Sequence, residues 1–125
     1  MRPLRVLFAS PEVEPFVKVG GLADMVGALP KELAALGHDV RIVAPLYGST
    51  KRVGEWHAHA TALGVDVGPE TRWARVWETT LPGAAVPVYF LEHDWFFGRP
   101  EVYSEWGDNA HRFVFFSRAV LALCE

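Results

Sequence analysis

The chain has 125 residues and a mass of 13.9 kDa, with 50% hydrophobic and 22% charged residues, which is globular composition and excludes wholesale disorder. Its nine prolines and eleven glycines follow no period, which excludes collagen-like and solenoid arrays. A formal charge of −3 without a basic stripe makes nucleic acid a poor partner, and no apolar run approaches the roughly 18 residues of a membrane span. The single cysteine, Cys124, cannot form an internal disulfide, and the N-terminal apolar run is too short for a signal core, so the expectation is a soluble, cytoplasmic chain.

Residues 4–9 (LRVLFA) form a nearly unbroken apolar run, which predicts a strand buried on both faces of a parallel sheet. Residues 10–21 hold Pro11, Pro15 and a glycine pair and predict a loop. From Leu22 the pattern is helical, with Leu22, Val26, Leu29, Leu33 and Leu36 on one face. Gly37 is placed to end that helix, and Pro30 is expected to kink it. Residues 39–44 (DVRIVA), closed by Pro45, predict a second strand, and strand, helix and strand make a βαβ unit with parallel strands.

Residues 46–70 are rich in glycine, with a short strand expected near 62–67. Residues 72–81 alternate, placing Trp73, Arg75, Trp77 and Thr79 opposite Ala74, Val76, Glu78 and Thr80. With residues 86–91 they predict a β-hairpin. Residues 92–107 predict a long aromatic loop, after which Asp108 or Asn109 caps a last helix. The apolar stripe of that helix is expected at Ala110, Phe113, Val114, Val120, Leu121 and Cys124. The helical pattern is still running at Glu125, so the chain is expected to be the front of a longer fold.

The strongest chemical signal is Lys18-Val19-Gly20-Gly21-Leu22-Ala23-Asp24, between a strand and a helix start, where open α/β sheets place their ligands. Gly20 and Gly21 let the backbone approach a ligand, and the first helix amides are free to bind an anion. A lysine beside the positive end of a helix is unfavourable alone, and an anion between them reverses the sign. The plainer alternative is a solvated lysine next to a turn. GxGxxG and P-loop patterns are absent, which weakens a nicotinamide-dependent reading. Asp24 either favours the helix dipole or accepts a hydrogen bond from a sugar hydroxyl, and Glu12 and Glu14 either bind such a hydroxyl or are solvated. His57 and His59 have no further ligand at metal spacing and read as surface residues. The loop aromatics Trp95, Phe96, Phe97, Tyr103 and Trp106 either stack on sugar rings or form a local core. Arg112 is expected to pair with Asp108, with a phosphate contact as the alternative, and Cys124 is expected in the core.

The stretch from Ser10 to Pro30, with its Glu12, Lys18, Gly20-Gly21 and Asp24, resembles the N-terminal signature of bacterial glycogen synthases and plant starch synthases. His38-Asp39 through Pro45 resembles the second strand of that family, and Arg99-Pro100, Tyr103 and the run from Asp108 to Ala119 resemble its next block. The resemblance covers nearly the whole chain and is least informative over 51–75.

It implies an α/β fold: the Rossmann-like, parallel-sheet first half of the N-terminal domain of a GT-B glycosyltransferase, with a β-hairpin insertion. Residues 1–125 would be an incomplete N-terminal domain, with the second GT-B domain lying outside this chain. The implied reaction moves glucose from ADP-glucose to the non-reducing end of an α-1,4-glucan with retention, with no metal or other cofactor. By the same resemblance Lys18, Gly20, Gly21 and Asp24 bind the donor, while Glu12 and Phe97 lie toward the sugar or acceptor. No catalytic residue falls in this segment, which is expected to be inactive alone and to need the missing domain in cis or as a partner chain. Another GT-B enzyme with a different nucleotide sugar, or a non-catalytic glucan-binding half-domain, are the alternatives. Val19 stands where the family usually has threonine, and Glu105 and Trp106 interrupt the block before Asp108.

Overall fold

Strand β1 (Arg5–Ala9), helix α1 (Gly21–Ala35) and strand β2 (Asp39–Pro45) form the expected unit, in a computed structural model that describes residues 2–104 and 107–125. β1 and β2 pair in parallel, in a register that runs from Arg5↔Asp39 to Ala9↔Val43. Glu105 and Trp106 lie outside the described residues. The chain continues through β3 (His57–Ala58), β4 (Leu63–Val67), β5 (Glu70–Thr80) and β6 (Pro87–Glu92), then α2 (Asp94–Phe97) and α3 (Asn109–Leu123). The sheet order is β1-β2-β6-β5-β3, with β4 paired to β5.

The β5–β6 hairpin is present and antiparallel, in the register Thr80↔Pro87 to Arg75↔Glu92. It is not a separate insertion, because β6 also pairs in parallel with β2 and becomes the third parallel strand. Central position explains composition. Ile42, Val43 and Ala44 of β2 and Val88, Phe90 and Leu91 of β6 are all buried, as strands with neighbours on both sides require. β1 differs from expectation. It lies at an edge of the sheet, and Leu7 is 37% exposed.

Helix α1 ends as its sequence predicts. Gly37 has φ +97°, its N–H donates to the Ala34 carbonyl at 3.0 Å, and the His38 N–H donates to Leu33 at 3.3 Å. Its buried face is not the leucine stripe. Ala23, Val26 and Pro30 are buried, whereas Leu22, Leu29 and Leu36 are exposed. Close approach selects the small residues: a Cβ on Gly27 would meet the Glu14 carbonyl oxygen at 2.8 Å, so the helix lies directly on the preceding loop. The helix continues through Pro30 as one element.

Helix α3 also turns another face inward. Arg112, Phe115, Phe116 and Ala119 are buried, while Val114, Leu121 and Cys124 are exposed, so the expected stripe and the expected core cysteine are both corrected. A pattern of apolar residues misses this face because an arginine lies at its centre. The expected cap is corrected too. Asp108 stands at the N-cap position without a side-chain cap bond, and its carboxylate instead pairs with Arg99 at 2.7 Å. The Asn109 side chain bonds both backbone groups of Ser104 at 2.8 Å. The expected long loop contains α2, where His93 caps the Phe96 N–H and Phe96 and Phe97 are buried.

Candidate functional site

β1, β2 and β6 run in the same direction, so their C-terminal ends share one edge of the sheet, and the loops leaving that edge build the site. The loop after β1 is anchored by Val13, Phe16 and Val17, which are buried, and by reciprocal bonds of 3.0 and 2.9 Å between Val13 and Val17. The Glu14 N–H donates to Ala23 at 3.0 Å and ties the loop to α1.

Glu12 organises the rest of the loop. Its side chain is neither solvated nor open, as the residue is 3% exposed. Oε1 accepts the Val19 and Gly20 N–H groups, each at 2.9 Å, and Oε2 accepts the Tyr103 hydroxyl at 2.6 Å. Burial pushes this carboxyl up, but the bonds from Tyr103, Gly20 and Val19 outweigh it and hold the group below the usual carboxylate range. Burial, and then the same contact, push the Tyr103 hydroxyl up to about 12.

Lys18 and Asp24 meet at 2.8 Å, both roughly half exposed, so Lys18 is neither alone in solvent nor buried. The pair raises the lysine's proton affinity. Exposed pairs contribute little to stability, which leaves both groups able to exchange partners. Gly20 is the N-cap of α1 in extended geometry, and neither Gly20 nor Gly21 has an atom within 4 Å of the place a Cβ would occupy. The space in front of the helix start is therefore open. A cavity of about 670 Å³ lies beside it, lined by Lys18, Val19, Lys51, Glu101, Val102 and Tyr103. A hollow of about 760 Å³ at Arg5, Leu7, Asp39 and Arg41 lies by the N-terminal ends of β1 and β2, away from the ligand edge.

The remaining expected site residues separate. Phe97, expected on the acceptor side, is fully buried and packs edge-on against Tyr47 and Phe116, so it belongs to the core. Trp95 and Trp73 are exposed and line a shallow groove with Arg75, Glu92, His93 and Asp94. His57 and His59 are exposed, and His59 pairs with Glu78 at 3.0 Å. Among the described residues no three His, Cys, Asp or Glu side chains gather to hold a metal, and no helix is long and apolar enough to cross a membrane.

Arg112 takes neither expected partner. It is fully buried and donates to the carbonyls of Phe96 at 2.5 Å, Val102 at 3.0 Å and Glu101 at 3.1 Å. Burial lowers its pKa. Two features were therefore missed from sequence: the Glu12–Tyr103 bond and the carbonyl cage of Arg112. The second left a signal, a lone arginine among the phenylalanines of an apolar helix.

The starch synthase catalytic domain family profile matches residues 5–125. Glycogen synthase 1 of Geobacter sulfurreducens is 48% identical, over 98% of this chain and 26% of its own length. The glycogen synthase of Syntrophotalea carbinolica is 47% identical, over 95% and 25%. The solved catalytic domain of starch synthase IV from Arabidopsis thaliana, bound to ADP and acarbose, superposes with a TM-score of 0.89 at 35% identity, covering 98% of this chain and 25% of that one. The chain thus spans about a quarter of the length of the curated relatives it matches.

Proposed function

The chain belongs to the starch synthase catalytic domain family, and from that premise we propose that it is one wall of a GT-B glycosyltransferase that moves glucose from ADP-glucose to an α-1,4-glucan with retention. The observation that carries the reading is the loop at the ligand edge, where Lys18 and the open start of α1 face unfilled space beside a cavity. ADP bound to the Arabidopsis catalytic domain supports a nucleoside diphosphate as leaving group.

Breaking the bond from the glucose anomeric carbon to the β-phosphate leaves negative charge on the diphosphate. Fixed donors aimed at that charge lower the barrier. Lys18 supplies a full positive charge, and the first-turn amides of α1 supply aligned dipoles. Gly20 and Gly21 contribute by the room they leave, since the Gly20 N–H is already on Glu12. Asp24 holds Lys18 until a diphosphate arrives, then turns toward a donor hydroxyl. Glu12 shapes the loop rather than touching sugar, and Trp95 takes the glucan-facing place expected of Phe97. The rest of the cleft comes from a second domain outside this chain. The reaction is placed in the cytoplasm, in keeping with one unpaired thiol, Cys124.

The test is glucosyl transfer to glycogen by the full-length enzyme that carries these residues, with ADP-glucose against UDP-glucose. A clear preference for ADP-glucose is expected, with no transfer by the 125 residues alone above a no-enzyme control. Preference for UDP-glucose, or activity of the short chain, would overturn the reading.

A further inference from the structure

We propose that Tyr103 is a positioning residue for the donor loop: its hydroxyl fixes the Glu12 carboxylate on the Val19 and Gly20 amides and thereby aims the backbone that carries Lys18. The inference rests on the donor reading of that loop. The bond joins residues 91 apart in sequence, so two separate segments of the ligand edge meet at a single carboxylate.

The geometry makes Tyr103 the fixed end of this bond. Its two neighbours are clamped by α3. On one side the Val102 carbonyl accepts from Arg112 at 3.0 Å, and on the other both backbone groups of Ser104 bond the Asn109 side chain at 2.8 Å. The Tyr103 ring leans on Phe113, with centroids 6.1 Å apart. The loop end is the adjustable one, because Val19 is exposed and Gly20 lacks a side chain. Without the hydroxyl, Oε2 of a nearly buried carboxylate loses its partner. A buried charge left short of a hydrogen bond turns toward water. Oε1 would turn with it and release the two amides. Asp24, the charged neighbour that also acts on Glu12, repels it and favours that escape.

Tyr103→Phe keeps the ring against Phe113 and removes only the hydroxyl. Amide exchange and carboxyl titration by NMR then read the loop directly. The Val19 and Gly20 amides should exchange about tenfold faster, the low end for loss of a hydrogen bond to a charged group. The Glu12 titration should move to higher pH, a change that general loosening elsewhere would not produce. In a Glu12→Ala background, which leaves no group for the hydroxyl to fix, Tyr103→Phe should add nothing further. Unchanged exchange and an unchanged Glu12 titration in Tyr103→Phe would overturn the proposal. Neither readout uses a sugar nucleotide. Faster exchange with an unaltered ADP-glucose KM in the full-length enzyme would uphold the positioning role and count against the donor reading instead.

Discussion

The loop after β1 and the segment between α2 and α3 solve the same problem with opposite charges. In the first, a buried carboxylate, Glu12, gathers backbone N–H groups. In the second, a buried guanidinium, Arg112, gathers backbone carbonyls. Each satisfies polar backbone groups of another segment from a single side chain, as buried polar backbone requires. They differ in what surrounds them. Arg112 sits within Tyr47, Phe97 and Phe113 and has no exposed surface. Glu12 has an apolar anchor beneath it and an exposed outer face bearing Lys18, Val19 and Gly21. The same device thus gives a closed core in one place and a presented, solvent-facing loop in the other.

The comparison breaks first at Arg112. Arg112→Leu leaves the Phe96, Val102 and Glu101 carbonyls without this donor, and urea unfolding should show a loss of about 3–5 kcal/mol, since each buried carbonyl left unsatisfied costs about 1–3 kcal/mol. Glu12→Gln should cost less, because its neighbours can reach water.

The packing of α1 on the loop gives the next effect. Gly27→Ala drives a methyl against the Glu14 carbonyl oxygen, at 2.8 Å from the ideal Cβ, and backbone must shift to admit it. The expected loss is about 1–3 kcal/mol, measured in the same way.

Acid sharpens the contrast between the two regions. Glu12 has a lowered pKa in the fold, so its contribution is fully present above the pKa of the unfolded chain. It is lost as pH falls through the lower, folded value. Asp108, held down by the Arg99 bond, behaves with the same sign. Arg112 stays charged across this window. Acid titration should therefore free the Val19 and Gly20 amides while the core around Arg112 remains protected, and amide exchange against pH separates the two. At the far end of the scale, His59→Ala removes an exposed pair with Glu78 and should change stability by less than about 0.5 kcal/mol.

The contrast also marks how far the sequence could be read. The βαβ unit, the hairpin and the Gly37 stop were legible because each rests on local rules of period and turn chemistry. The buried faces of α1 and α3 were not, because Gly27 and Arg112 earn their places through contacts with distant backbone. The same holds at the site. Lys18, Gly20, Gly21 and Asp24 are neighbours in the chain, so local spacing groups them. Tyr103 completes the loop from 91 residues away, and Phe97 left it for the core; neither fact is written in local spacing.

The central claim is that the loop ordered by Glu12 presents Lys18 to a donor diphosphate. Its most direct test is the donor kinetics of Lys18→Ala in the full-length enzyme. The account predicts that kcat/KM for ADP-glucose falls about tenfold or more, as loss of a charged hydrogen bond implies, while KM for glucan holds. Unchanged donor kinetics, or a loss confined to glucan, would contradict it.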